Sequence, residues 1–190
     1  MSQTPAYSIR PVTLADAEAL DQIHHNAKAK FKLIPQLADI GEGGAKIFEP
    51  EVVAEWLQKG RVWLAQENSS GEPVGFIAAF PMDSVITIRE VSVNLEHNGK
   101  GVGGLLLNAV FDWARKLAKA SGSPARVSLF TYPDVPWNGK WYEKRGFKEV
   151  LPVDLGPEHI SKMDLDVTTR GLVRGGYRRS VMLWEKDSGT

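Results

Sequence analysis

The chain has 190 residues, 43% of them hydrophobic, with 23 basic side chains against 23 acidic ones and no cysteine. This size and apolar content support one buried core, so a single domain over 1–190 with its core at 7–186 is expected, and neutral balance gives no global field that would draw it onto nucleic acid or an anionic membrane. The absence of cysteine excludes disulfides, thiolate nucleophiles and thiolate zinc sites. The N-terminal stretch MSQTPAYSIR has no apolar run of the signal-peptide kind, and no window reaches the roughly 18 apolar residues of a membrane span. A cytoplasmic location is the resulting expectation.

In chain order, YSIRP (7–11) alternates as a short strand, and Thr13 with Asp16 has the spacing of a capping box, which predicts a helix over 14–31. Residues 32–50 are rich in Gly and Pro and carry no sustained period, so they read as a long loop with one helical turn, a common form for a binding segment. A short helix over 51–60 leads into strands at 61–67 and 73–80, joined by the hairpin turn NSSG. ITIREVSVN (86–94) also alternates, but its apolar residues move from even positions (Ile86, Ile88) to odd ones (Val91, Val93). A strand that keeps its face must insert a residue to change parity, so a bulge is expected at Arg89 and Glu90.

NGKGVGG (98–104) has four glycines and one lysine in seven positions. After it Leu106, Leu107, Val110, Trp113, Ala114 and Leu117 recur at helical spacing, predicting a long helix closed near Gly122. ARVSLFTY (125–132) reads as a strand, NGKWYEKRGF (138–147) as a short helix ending on Gly146, and YRRSVMLWEK (177–186) as the last strand. The segment from Leu151 to Gly176 has no pattern that assigns an element. Strands interleaved with helices in this order predict a mixed sheet covered by helices, an α/β (α+β) fold.

The glycine loop stands between a strand and a helix start. There the backbone N–H groups are unpaired and the helix dipole favours an anion, while glycine lets that anion approach without a Cβ in the way. Gly99, Gly101 and Gly104 satisfy the dinucleotide pattern G-x-G-x-x-G literally. However, LEHN separates the strand from the first glycine, and no acid follows at the distance that would hold a ribose. A Walker loop fails as well, because no Ser or Thr follows a Gly-Lys pair at the required spacing.

NGKGVG (98–103) resembles the Q/R-x-x-G-x-G/A signature of the GNAT superfamily of acetyl-CoA-dependent N-acetyltransferases, and WYEKRGF (141–147) resembles that family's second landmark. The resemblance covers about residues 7–185. It implies a mixed, mostly antiparallel twisted sheet of about six to seven strands, splayed at the centre, with helices on both faces. It implies acetyl-CoA as cofactor, with the backbone of Val91, Ser92 and Val93 pairing with the pantetheine arm. The amides of Gly99, Lys100, Gly101, Val102, Gly103 and Gly104 would receive the pyrophosphate. Asn98 stands where the family has Gln or Arg, so the loop's hold on the cofactor is expected to be mainly through backbone. The family's Asn seven residues before its tyrosine is Val135 here, and Asn138 is the nearest candidate to take its place. DVPWN (134–138) resembles a feature of a subgroup of small GNAT proteins.

The implied reaction is attack of a neutral amine on a thioester. An alkylamine with pKa near 10.4 must first lose a proton, and Glu90 at the expected bulge is the candidate base. Tyr142 matches the family's tyrosine, placed to protonate the departing thiolate. With no cysteine and no evident Ser/His/Asp arrangement, direct transfer in a ternary complex is expected. His24 and His25 point about 100° apart on a helix and cannot share one ion, so no metal is expected. The acceptor is expected to be the primary amine of a small molecule, with no nucleic-acid or membrane partner and a homodimer as an allowed assembly. The alternatives are a protein or peptide acetyltransferase and a non-catalytic acyl-CoA sensing module.

Overall fold

A computed structural model describes residues 5–42 and 44–187. The remaining residues of the expected 1–190 domain, and Gly43 of the expected 32–50 loop, lie outside the described residues. Among the described residues seven strands form one sheet: β1 (Tyr7–Pro11), β2 (Arg61–Glu67), β3 (Pro73–Met82), β4 (Val85–Val93), β5 (Ala125–Thr131), β6 (Lys148–Val150) and β7 (Ser180–Lys186), in the order β1-β2-β3-β4-β5-β7-β6. The β1–β2, β2–β3, β5–β7 and β6–β7 pairs are antiparallel, and β4–β5 is parallel through Ile86–Val127, Thr87–Ser128 and Ile88–Leu129. The helices are α1 (Ala17–Lys28), α2 (Pro50–Lys59), α3 (Val102–Ser121), α4 (Gly139–Glu143) and α5 (Pro157–Asp164). This is the mixed, mostly antiparallel sheet with helices that the sequence predicts.

The contacts group the chain into two compact units: residues up to Phe80 with Glu90–Ala109, and Pro81–Arg89 with the residues from Val110 onward. In the first unit, Leu20 and Ile23 of α1, Val53 of α2, Leu64 of β2 and Phe76 of β3 are buried in one cluster with Phe48. The Phe48 ring meets Phe76 and Trp56 edge-on at 5.4 and 5.0 Å, an arrangement that aromatic quadrupoles favour.

The expected helix over 14–31 is three pieces: a 3₁₀ turn at Leu14–Asp16, α1, and a second 3₁₀ turn at Ala29–Leu33. Its capping box forms, with the Thr13 N–H donating to Asp16 Oδ2 at 2.8 Å. Arg10 adds a fork, Nη1 to Oδ2 at 2.9 Å and Nη2 to Oδ1 at 2.6 Å. The guanidinium bond, with help from the Thr13 donors and against the cost of burial, holds the Asp16 carboxyl down at about 2. The unfolded carboxyl titrates near 4. The stabilisation is therefore complete above pH 4 and is lost as pH falls from about 4 to about 2. Asp16→Asn is expected to lower the melting temperature at neutral pH and to flatten its fall over that window, followed by thermal unfolding as a function of pH.

Between β3 and β4, Asp83 (φ +47°) and Ser84 (φ +62°) form a two-residue hairpin turn with both central residues left-handed. In the second unit the Asp83 carboxylate caps α5, accepting from the Glu158 N–H at 3.1 Å, the His159 N–H at 2.8 Å and the His159 ring at 2.8 Å. His159 Nε2 continues to Ser128 Oγ at 2.8 Å, which in turn meets Thr87 Oγ1 at 2.9 Å. Ser128 and His159 are fully buried, so this Ser-His-Asp chain ties α5 to the sheet and has no access to a substrate. Phe111 of α3 stacks on Trp184 of β7 at 4.1 Å. Trp184 is directly paired with Val127, and Val127 with Ile86, so these residues share the face that α3 covers.

One expectation is corrected and two segments gain detail. The last strand begins at Ser180, not at 177; Tyr177 makes only an isolated bridge to Arg174. The expected loop 32–50 holds a 3₁₀ segment, Pro35–Gly41. At Gly41 a Cβ would fall 2.8 Å from the Lys32 nitrogen and 2.9 Å from the Lys28 carbonyl oxygen, so the segment folds back on the end of α1. The unassigned segment from Leu151 to Gly176 contains α5 and a π turn at Leu165–Thr169. Its inward face carries His159, Lys162 and Asp166 beside Met163, so it shows no sustained hydrophobic period.

Candidate active site

In the first unit β4 runs into a 3₁₀ turn, Leu95–His97, that is fixed from two sides. Asn26 Oδ1 of α1 accepts from the Leu95 N–H at 2.8 Å, and the buried His97 ring meets Tyr7 Oη of β1 through Nδ1 at 2.9 Å. The glycine loop follows on this anchored base. Gly99 and Gly101 have φ of +76° and +91°, the left-handed region that other residues enter only with strain. A Cβ at either would have nothing within 4 Å, so these two glycines are not there for packing against the sheet.

The helical ladder begins with the Leu105 N–H donating to the Gly101 carbonyl at 3.1 Å. The first-turn amides of Val102, Gly103 and Gly104 therefore have no carbonyl a turn behind them and face the positive end of the α3 dipole. Lys100 and Asn98 are exposed beside them. The chemistry of this set, a row of N–H donors with open space in front and a lysine alongside, fits a pyrophosphate.

Glu90 lies in β4 with its side chain 30% exposed. Ser92 Oγ donates to Glu90 Oε1 at 2.9 Å, which fixes the direction of the carboxylate. His24 Nδ1 of α1 stands 3.7 Å from the same oxygen, beyond direct hydrogen-bond distance. That nitrogen is buried without a hydrogen-bond partner, and the ring is held edge-on by Phe48 at 5.5 Å. His25 turns away, its Nδ1 at 2.9 Å from the Asp21 carbonyl. Among the described residues no three potential ligands gather to hold a metal.

Ser92 and Glu90 share a face of β4 with α1, whereas Val93 lies on the α3 face, its Cγ2 beside Gly75 and Leu106.

In the second unit Tyr142 is 8% exposed on α4. Its ring sits edge-on to Trp141 at 5.0 Å and to Phe147 at 5.6 Å, and Gly146 (φ +89°) closes the turn that brings Phe147 back. The Asn138 carbonyl accepts from the Trp141 and Tyr142 amides at 2.9 and 3.1 Å, while the Asn138 side chain makes no capping bond. Gly139 has no room for a Cβ, which would lie 2.2 Å from the Pro133 carbonyl oxygen. Val135 is fully buried, so core packing occupies that position. Trp137 is half-buried.

Sequence reasoning considered His24 only as a metal ligand and missed its approach to Glu90. The residue lies four positions after the buried Leu20, which places it near the inward face of α1, but the contact itself depends on how α1 meets β4. The support of Glu90 by the Ser92 hydroxyl was also missed, although an i, i+2 pair on one strand was available as a signal.

Residues 58–149 match the model of the acetyltransferase (GNAT) domain, and this stretch holds Glu90, the glycine loop and Tyr142. Among solved structures, 95% of the chain aligns with 99% of a GNAT-family acetyltransferase from Staphylococcus aureus Mu50, at 18% identity and a TM-score of 0.66. A PaiA N-acetyltransferase from Thermoplasma acidophilum, solved with coenzyme A, aligns over 96% of this chain and all of its own at 16% identity and a TM-score of 0.66. The ribosomal-protein-S18-alanine N-acetyltransferase from Escherichia coli aligns over 95% of this chain and 94% of its own at 16% identity and a TM-score of 0.61. At such identities the likeness is one of fold. The protein thus has the GNAT fold, and residues 58–149 are similar to the acetyltransferase (GNAT) domain. Among the described residues no helix is long and apolar enough to cross a membrane.

Proposed function

We propose that the protein transfers the acetyl group of acetyl-CoA to the primary amine of a small molecule, by direct attack in a ternary complex. The observation that carries this reading is the braced Glu90 carboxylate, in the same unit as the open row of amides at the start of α3. In this reading the amides of Gly99–Gly104 and the nearby Lys100 and Asn98 hold the pyrophosphate, and the backbone of Val91–Val93 pairs with the pantetheine arm. The Asn138 side chain, free of any capping role, is a further contact to the cofactor. Acetyl-CoA supplies the activated acyl group.

Glu90 accepts the proton of the acceptor ammonium, with His24 as the adjacent station for that proton, and the free amine forms the new C–N bond. The C–S bond breaks, and Tyr142 gives its phenolic proton to the departing thiolate. The second proton of the amine, lost as the C–N bond forms, returns to the Tyr142 phenolate, and Glu90 releases the first to solvent. The DVPWN turn, with its half-buried Trp137, lines the acceptor side in this reading and marks a subgroup of small GNAT proteins. A cytoplasmic location accompanies it.

The test is a panel of small amines and peptide N-termini assayed with acetyl-CoA by thiol release. Turnover of small amines supports the reading, and turnover of peptides alone makes the protein a peptide acetyltransferase. Binding of acetyl-CoA without any turnover makes it a sensing module. Glu90→Gln is expected to lower kcat/KM by about 10²-fold for an alkylamine, the low end for a positioned base. The loss should shrink for an acceptor such as methoxyamine, which is already neutral at the assay pH. An equal loss on both would remove Glu90 from the role of base.

A further inference from the structure

Among the described residues, His24 Nδ1 is a buried ring nitrogen without a hydrogen-bond partner. A polar atom buried in this way costs stability, and an apolar ring in its place would not, so its presence calls for a role other than packing. The ring's neighbours do not supply one. Phe48 at 5.5 Å and His25 at 5.8 Å meet it edge-on, contacts that a phenyl ring would make equally. Asp21, one turn earlier on α1, is occupied elsewhere. Its Oδ1 accepts from the Ile47 and Phe48 amides at 2.7 and 3.1 Å, and its Oδ2 lies 3.2 Å from His25 Nδ1.

What Nδ1 faces is Glu90 Oε1, 3.7 Å away and in the same compact unit. The Ser92 hydroxyl donates to that oxygen at 2.9 Å and so holds the carboxylate beside the imidazole. A neutral imidazole carries its proton on one nitrogen, and with no acceptor in bonding distance of Nδ1 that proton belongs on Nε2. The Nδ1 lone pair and an ionised Glu90 are then two acceptors, and nothing draws them together until a proton lies between them. Protonation of Glu90 changes this. Its O–H is a donor with an acceptor already in place, and a hydrogen bond given by a neutral carboxyl favours the protonated form.

We propose that His24 is a positioning residue for Glu90, its Nδ1 lone pair accepting a hydrogen bond from the carboxyl once Glu90 has taken the proton of the acceptor amine. In that step an N–H bond of the acceptor ammonium breaks and an O–H bond forms at Glu90. The new O–H donates to Nδ1 without passing its proton on. Because the hydrogen bond exists only in the proton-bearing state, it favours release of the free amine and adds nothing to binding of the ammonium. His24 lies outside residues 58–149, so this support comes from α1, beyond the stretch similar to the acetyltransferase domain. The inference rests on the reading of Glu90 as the base given above.

The experiment takes His24→Phe and His24→Asn, assayed by thiol release with acetyl-CoA on an alkylamine and on methoxyamine, with thermal unfolding alongside. His24→Phe keeps a ring on Phe48 and removes the nitrogen. His24→Asn loses the ring and places a carbonyl oxygen as many bonds from the backbone as Nδ1. The two measurements should therefore rank the variants in opposite orders. His24→Phe is expected to melt no lower than the wild type and to lose about tenfold in kcat on the alkylamine, as one missing hydrogen bond would give, with the KM for acetyl-CoA unchanged. His24→Asn should melt lower and recover part of that rate. The loss in His24→Phe should shrink for methoxyamine, which is already neutral at the assay pH. Glu90→Gln combined with His24→Phe should be no slower than Glu90→Gln alone, since His24 acts through Glu90. Wild-type rates in His24→Phe, equal losses on both acceptors, or losses that multiply in the double variant would overturn the role of His24 and leave Glu90 as the base. Equal losses on the two acceptors in Glu90→Gln itself would overturn the reading beneath, and His24 with it.

Discussion

Gly101→Val is expected to lose coenzyme A affinity by about 10- to 100-fold in calorimetric titration while the protein stays folded. At φ +91° a β-branched residue is strained, at a cost of order 1–3 kcal/mol, and every 1.4 kcal/mol is tenfold in affinity. The loop can relieve the strain only by turning its peptide units, which moves the amides away from the phosphates. The added atoms would also stand in the open space in front of them. Because nothing lies within 4 Å of a Cβ there, no core contact is broken, and the melting temperature should fall by only a few degrees. Gly71→Val is the matched control. Gly71 has φ +74°, equally open surroundings and a place in the turn between β2 and β3, so it imposes similar strain away from the loop. Loss of coenzyme A binding in both variants would point to general destabilisation. Retention in both would remove the loop from cofactor binding.

Tyr142→Phe is expected to lower kcat by 10²- to 10³-fold with little change in the KM for acetyl-CoA. The substitution removes one hydroxyl and keeps a ring of the same shape against Trp141 and Phe147, so α4 and its closing turn are preserved. A general acid acts in the transition state, where a departing thiolate needs a proton, and groups of this kind contribute typically 10²–10⁴ in rate. An effect confined to the transition state appears in kcat and leaves ground-state binding alone. A leaving group more acidic than coenzyme A needs less help, so the loss should be smaller with an activated thioester such as a thiophenyl acetate. If kcat is unaltered in Tyr142→Phe, the ring is a packing residue only and the thiolate leaves without protein assistance.

Much of this protein is written locally. The capping box of Thr13 and Asp16, the alternation in β1 and β4, and the apolar stripe of α3 are patterns of near neighbours, and the protein has the corresponding elements. The glycine loop is legible for the same reason. Its positive φ angles and its place at a helix start follow from residues 98–104 and the periodicities on either side.

Tertiary structure decided what depends on distant partners. The path of α5 could not be read, because its inward face is polar and is satisfied by groups far away in sequence: Asp83 in a hairpin turn, Ser128 on β5 and Arg179 before β7. His24 gained its place beside Glu90 only when α1 packed on β4, 66 positions away in the chain. Local pattern records which face of an element is apolar, and so it fixes elements and their register. Polar side chains buried between elements leave no such trace, since their burial is made tolerable by partners that only the fold brings within hydrogen-bonding distance.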